Sequence, residues 1–137
     1  MVDKLTPERR SANMSRIRSE NMRPELIVRS TAHRMGFRFR LHRRDLPGRP
    51  DLVFPKLKKI IFSHGCFWHQ HANCIDGKLP KSRTDYWVPK LSRNVDRDTA
   101  NAAALRDSGW QILTVWECET RDLPELSRKI RAFLEKQ

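Results

Sequence analysis

The chain of 137 residues has no apolar run that approaches the ~18–20 residues a membrane-spanning helix needs. Its opening residues, Met1-Val2-Asp3-Lys4-Leu5-Thr6-Pro7, also lack the apolar segment of a secretory signal. No membrane partner is therefore expected, and the expected compartment is the cytoplasm. Cysteine is scarce: there are three, an odd number with no CxxC pair, so a disulfide framework is excluded. In a reducing compartment those thiols are either buried fillers or metal ligands. Internal repeats and low-complexity stretches are missing too, and the length suits one domain with one core.

Acidic residues are also in deficit. Lys and Arg number 28 against 16 Asp and Glu, a formal charge of +12. A small domain this basic attracts polyanions, and nucleic acid is the expected partner.

The order of elements reads as helix, three strands, helix, strand, helix, which predicts an α/β fold with a mixed sheet flanked by helices. Residues 1–12 are polar and unpatterned and are expected to form a flexible basic arm, with the folded domain over 13–137. Asn13 to Arg18 is expected to make a short helical turn that shows Met14 and Ile17 on one side. The first firm helix opens at Pro24, with Leu26, Ile27, Thr31 and Met35 inward and Gly36 ending it. Strands are expected over Phe37–Leu41, Asp51–Phe54, Lys59–Phe62 and Trp110–Trp116. A helix from Pro89 to Ser108 carries Leu91, Val95, Ala102 and Leu105 inward. The last helix starts at Asp122 with a capping pattern to Glu125, and Leu123, Leu126, Ile130, Phe133 and Leu134 form its stripe.

Two places carry candidate chemistry. Asp51 follows Pro47-Gly48-Arg49-Pro50, a rigid turn that presents a carboxylate at a strand start. Such an oxygen donor suits Mg²⁺, and Glu25 offers a second carboxylate. The other place is Ser63 to Cys74, twelve residues that hold three of the five histidines and two of the three cysteines. His71 and Cys74 can converge on one ion. Cys118 is the natural distant ligand, and Asp98 or Asp96 from the long helix the fourth, completing a structural zinc site. His64 and His69 are then left over for acid–base or phosphate chemistry. Phe67, Trp68 and Trp87 fall in loop-like sequence among basic residues, which suits stacking on bases or wedging between them, and Met14 and Ile17 could wedge likewise.

The runs Asn13-Met14, Leu46-Pro47-Gly48-Arg49-Pro50-Asp51, His64-Gly65-Cys66-Phe67-Trp68-His69, Arg83-Thr84, Asn94-Val95-x-Arg97-Asp98 and Val115-Trp116-Glu117-Cys118 resemble very-short-patch-repair (Vsr) mismatch endonucleases, in order from about residue 11 to 135. The resemblance implies a restriction-endonuclease-like fold and a Mg²⁺-dependent cut in duplex DNA. That cut would be a single nick on the 5′ side of the thymine in T:G mismatches left by 5-methylcytosine deamination. It further implies Mg²⁺ on Asp51 and Ser63, with Glu25, His64 and His69 assisting, and Zn²⁺ on His71, Cys74, Asp98 and Cys118. Phe67, Trp68 and Trp87 would intercalate on one side of the mismatch and Met14 and Ile17 on the other. A monomer and mismatch-repair proteins as partners go with it. Ser63 stands where the family commonly has Thr, and two residues separate His71 from Cys74 where one is common. The competing readings are a restriction-like nuclease that cuts paired DNA and a zinc-stapled DNA-binding module without catalysis.

Overall fold

A computed structural model describes residues 23–136. The expected arm over 1–12 and the turn bearing Met14 and Ile17 lie outside the described residues. The elements are α1 (Arg23–Arg34), β1 (Arg40–Leu41), β2 (Leu52–Phe54), β3 (Lys59–His64), a 3-10 turn (Ile75–Gly77), α2 (Thr84–Asp107), β4 (Gln111–Trp116), a second 3-10 turn (Glu117–Arg121) and α3 (Leu123–Glu135). Among the described residues no helix is long and apolar enough to cross a membrane.

The sheet runs in chain order, β1-β2-β3-β4. β1–β2 and β2–β3 are antiparallel, whereas β3–β4 is parallel, with α2 in the crossover. This is a mixed α/β sheet, as the element order predicts.

Side-chain alternation sends neighbouring strand residues to opposite faces. On one face Leu52, Phe54, Ile61 and Val115 pack with Val28 and Ala32 of α1 and with Leu126, Ile130 and Leu134 of α3. On the other face Val53, Ile60 and Phe62 pack with Leu105 of α2 and Trp110. The sheet is therefore sandwiched between helical layers. Lys59 is buried, and its ammonium donates to the carbonyls of Phe133 (2.6 Å), Leu134 (3.2 Å) and Lys136. A cation on the last carbonyls of α3 suits the negative end of its dipole and ties that helix to the sheet.

Several element readings change, and β3 runs on to His64 rather than stopping at Phe62. The first strand shrinks to Arg40–Leu41, although Phe37 and Phe39 still pack on Phe54, with ring centroids 6.5 and 5.7 Å away. α1 buries Glu25, Val28 and Ala32, while Leu26 is 43% exposed. α2 begins at Thr84 rather than Pro89, because the Tyr86 and Trp87 N–H groups both bond the Arg83 carbonyl and start the turn earlier. Within it Leu91 and Leu105 are buried, but Asn94 takes the inward position and Val95 is exposed. In α1 and α2 a polar residue occupies the buried stripe, so apolar residues alone misplace its phase. The α3 start stands as read, with the Glu125 N–H donating to Asp122 Oδ1 at 3.2 Å, but Leu123 is exposed.

These burials predict a contrast in stability. Ile61→Ala, at a fully buried position between α1 and α3, is expected to cost about 2–5 kcal/mol. Leu26→Ala is expected to stay within about 0.5 kcal/mol of the parent. Urea denaturation of both variants checks the phase of α1 directly.

Candidate active site and metal cluster

The sheet brings the start of β2 beside the end of β3, since Leu52 pairs with Ile61. Gly48 and Arg49 both have positive φ (78° and 48°). A Cβ on Gly48 would come within 3.1–3.3 Å of Asn101 and Phe62. The turn thus needs glycine at 48, and it delivers Asp51 to the start of β2. There the Ser63 N–H donates to Asp51 Oδ2 at 2.7 Å.

Glu25, at the start of α1, faces the same carboxyl. One ligand atom each from Glu25, His42 and Asp51 lies within 4.8 Å of the others. Burial, and next the adjacent Glu25 carboxyl, hold the Asp51 carboxyl well above its ordinary range; the Ser63 N–H opposes them. Glu25 Oε2 accepts from Arg29 Nη2 at 2.8 Å and lies 3.0 Å from His42 Nε2. His42 was absent from the candidates drawn from sequence. It sits seventeen residues from Glu25, with no motif to flag it.

His64 ends β3, and its ring stacks on His69 with centroids 3.8 Å apart and planes 6° apart. His69 Nδ1 is 2.5 Å from Asp98 Oδ2. Burial first, and then the His69 charge, push His64 down to about 4, against a smaller upward pull from Asp98. The ring is therefore neutral at physiological pH.

Three of the expected zinc ligands, His71, Cys74 and Cys118, do lie together, but the fourth member of the group is Cys66. All four donor atoms lie within 4.8 Å of one another, with His71 Nδ1 3.7 Å from Cys66 Sγ and 3.5 Å from Cys118 Sγ. Asp98 is corrected out of this group. It lies on α2, where its carboxylate is engaged by His69. The loop itself closes the quartet, for the His71 N–H donates to the Cys66 carbonyl at 2.9 Å. Gly77 allows the following turn to pass close, since a Cβ there would meet the His71 carbonyl at 2.7 Å. Burial pushes the Cys66 thiol up to about 12 and raises Cys118 as well. The sequence signal for Cys66 was its place in the same dense segment as His71 and Cys74.

Phe67, Trp68 and Trp87 form one aromatic group, with centroids 5.1–5.8 Å apart. Trp87 lies on the first turns of α2 rather than in a loop. Tyr86, not singled out from the sequence, joins it at 4.9 Å and lies under Arg83 and Lys90. A cleft of about 1330 Å³ is lined by Glu25, Asp51, Ser63, His64, His69, Asp98, Phe67 and Trp68, together with Arg44, Arg49, Arg97 and Arg106. Carboxylates and imidazoles at its wall with exposed guanidiniums around them can hold a cation, move a proton and bind a polyanion.

Comparison with known proteins adds to this geometry. Residues 2–75 match the family model described as DNA mismatch endonuclease Vsr. The type II nicking enzyme V.XorIIP of Xanthomonas oryzae pv. oryzae is 53% identical over 98% of both chains. The type II nicking enzyme V.NmeAIP of Neisseria meningitidis is 40% identical over 89% of this chain and 86% of its own. The DNA mismatch endonuclease Vsr of Escherichia coli is 39% identical over 93% of this chain and 81% of its own.

The raised Asp51 carboxyl has a consequence for stability. The folded chain keeps a proton there that the unfolded chain releases, so stability falls progressively as pH rises above about 4. Asp51→Asn retains an acceptor for the Ser63 N–H and is expected to add about 0.5–2 kcal/mol at neutral pH without added Mg²⁺. That gain shrinks towards zero as pH falls to about 4. Denaturation of parent and variant between those pH values measures it, and His64, common to both, cancels. A loss of stability at neutral pH would contradict the burial argument.

Proposed function

The chain belongs to the DNA mismatch endonuclease Vsr family, and from that membership we propose that it nicks duplex DNA on the 5′ side of the thymine in a T:G mismatch. The observation that carries this reading is the convergence of Asp51, Glu25, His64 and His69 on one cleft with an arginine rim. A DNA-binding module alone would have no need of a carboxyl pair, Glu25 buried and Asp51 half-buried, beside stacked imidazoles. The proposed frame is restriction-endonuclease-like, with β2 and β3 presenting the site.

The residues fit the ions the family implies. Asp51 and Glu25 are hard oxygen donors whose mutual repulsion a divalent cation would relieve. Mg²⁺ would be held by Asp51 and the Ser63 carbonyl, and when bound it supplies charge stabilisation at phosphate and a more acidic water. Glu25 orients the attacking water. Neutral His64 can accept a proton from it. Asp98 fixes the His69 ring through Nδ1, which leaves the Nε2 edge to meet the phosphate.

For the sulfur cluster, a tetrahedron with Zn–S of ~2.3 Å and Zn–N of ~2.0–2.1 Å places S and N about 3.6 Å apart. The S···N distances of 3.5 and 3.7 Å match it, so we assign Zn²⁺ to Cys66, His71, Cys74 and Cys118 as a structural staple.

Phe67, Trp68 and Trp87 would wedge beside the mismatch, where a mispaired step costs less to unstack than a paired one. The resemblance places Met14 and Ile17 on the opposite side. One nick needs one site, so the acting unit is a monomer, with mismatch-repair proteins as later partners.

Two experiments test this. End-labelled duplexes, T:G mismatched or fully paired in several contexts, are incubated with Mg²⁺ and the parent or Asp51→Ala protein. A single nick in the mismatched thymine strand, absent from Asp51→Ala, is expected. Equal cutting of paired DNA would favour a restriction-like nuclease, and tight binding without cutting a DNA-binding module. Metal analysis of the purified protein is expected to find about one zinc per chain. Cys66→Ser should lose most of it, whereas Asp98→Asn should keep it. The reverse pattern would restore Asp98 as the ligand.

A further inference from the structure

Among the described histidines, His42 alone bonds the carboxyl pair. The residue follows β1 with φ 49°, in the left-handed region where His is enriched along with Asn and Asp and which glycine adopts most freely. Its N–H donates to the Asp51 carbonyl at 3.3 Å, extending the β1–β2 ladder one step. Its ring, with the side chain 13% exposed, turns to Glu25 Oε2 at 3.0 Å; the Glu25 side chain is 7% exposed. One residue thus grips both carboxyl-bearing segments, Asp51 through backbone and Glu25 through the ring.

We propose that His42 is a positioning residue that holds the Glu25 carboxylate against Asp51 so that the pair receives its divalent cation and water in register. This rests on the role given above to Asp51 and Glu25. Either the Nε2–H tautomer or the imidazolium makes the bond, so its charge state is not the device. Arg29 reaches the same oxygen from the next turn of α1 at 2.8 Å, so the carboxylate is held from its own helix and from the sheet edge. Without His42 the Glu25 carboxylate loses its bond to the end of β1, and its place beside Asp51 is less closely fixed.

The backbone offers a discriminating variant. Glycine tolerates positive φ better than any other residue, so His42→Gly removes the ring while easing the main chain. His42→Gln keeps a donor of similar reach. Parent and both variants are compared by Mn²⁺ titration without DNA, by nicking of the T:G duplex, by duplex binding without metal, and by thermal melting.

His42→Gly is expected to melt no lower than the parent and to bind the duplex equally. Its Mn²⁺ affinity and kcat should fall about 10–100-fold, the usual effect of removing a partner behind a ligand. His42→Gln should recover most of both, and in a Glu25→Gln background His42→Gly should add little. Parent-like Mn²⁺ binding and nicking in His42→Gly would overturn the proposal, as would a loss of duplex binding that accounts for the lower rate. If the parent fails to nick any mismatched duplex, the functional reading falls instead, and the Mn²⁺ titration still decides the role of His42.

Discussion

Two carboxyl groups that cannot both ionise without cost are held together at the wall of one cleft, and much of the surrounding structure serves to keep them there. Asp51 has lost most of its water and faces Glu25, a situation that raises its proton affinity and works against folding. The Ser63 N–H, the Arg29 guanidinium and the His42 ring each bond one of the pair. The contacts come from three different elements, α1, the end of β1 and β3. The pairing of Leu52 with Ile61 is therefore a functional constraint as well as a packing one. A slip of one residue would turn the β2 side chains to the wrong face and remove Asp51 from Ser63.

The loop after β3 serves two sites with interleaved residues. His64 and His69 belong to the stacked pair, while Cys66, His71 and Cys74 belong to the sulfur cluster with Cys118. Phe67 and Trp68, between them, join Trp87 on α2. Long segments without periodicity have few backbone partners of their own and need an external tie. Here the quartet ties the loop to the residue two beyond β4, and Asn94 adds a bond from α2 to the Trp68 carbonyl at 3.2 Å. A change at the cluster is consequently also a change in the position of His69, even though no cluster atom belongs to the stacked pair.

Several properties of this protein were legible without coordinates. The three α-helices and four strands of the described residues were all legible, the helices from their apolar spacing and caps, the first strand from its alternation, and β2 and β3 from short apolar runs between turns. Asp51 stood out through its rigid turn, and the Ser63–Cys74 segment through its density of imidazole and thiol. The ordered motifs identified the family across nearly the whole chain.

What only the tertiary structure decided follows from groups that meet across space rather than along the chain. Glu25 and Asn94 occupy buried stripe positions, so a pattern that counts only apolar residues places Leu26 and Val95 inward when they are exposed. Cys66 joins the cluster, and Asp98 leaves it, because the loop curls back on itself and α2 brings Asp98 to His69. His42 has no spacing to announce it; a left-handed turn after a two-residue strand aims it at a helix seventeen residues earlier. Local pattern by itself determined the elements and the chemical types of this site. The pairing of those types was decided by the fold, because hydrogen bonds and metal coordination depend on distances of a few ångströms between residues far apart in sequence.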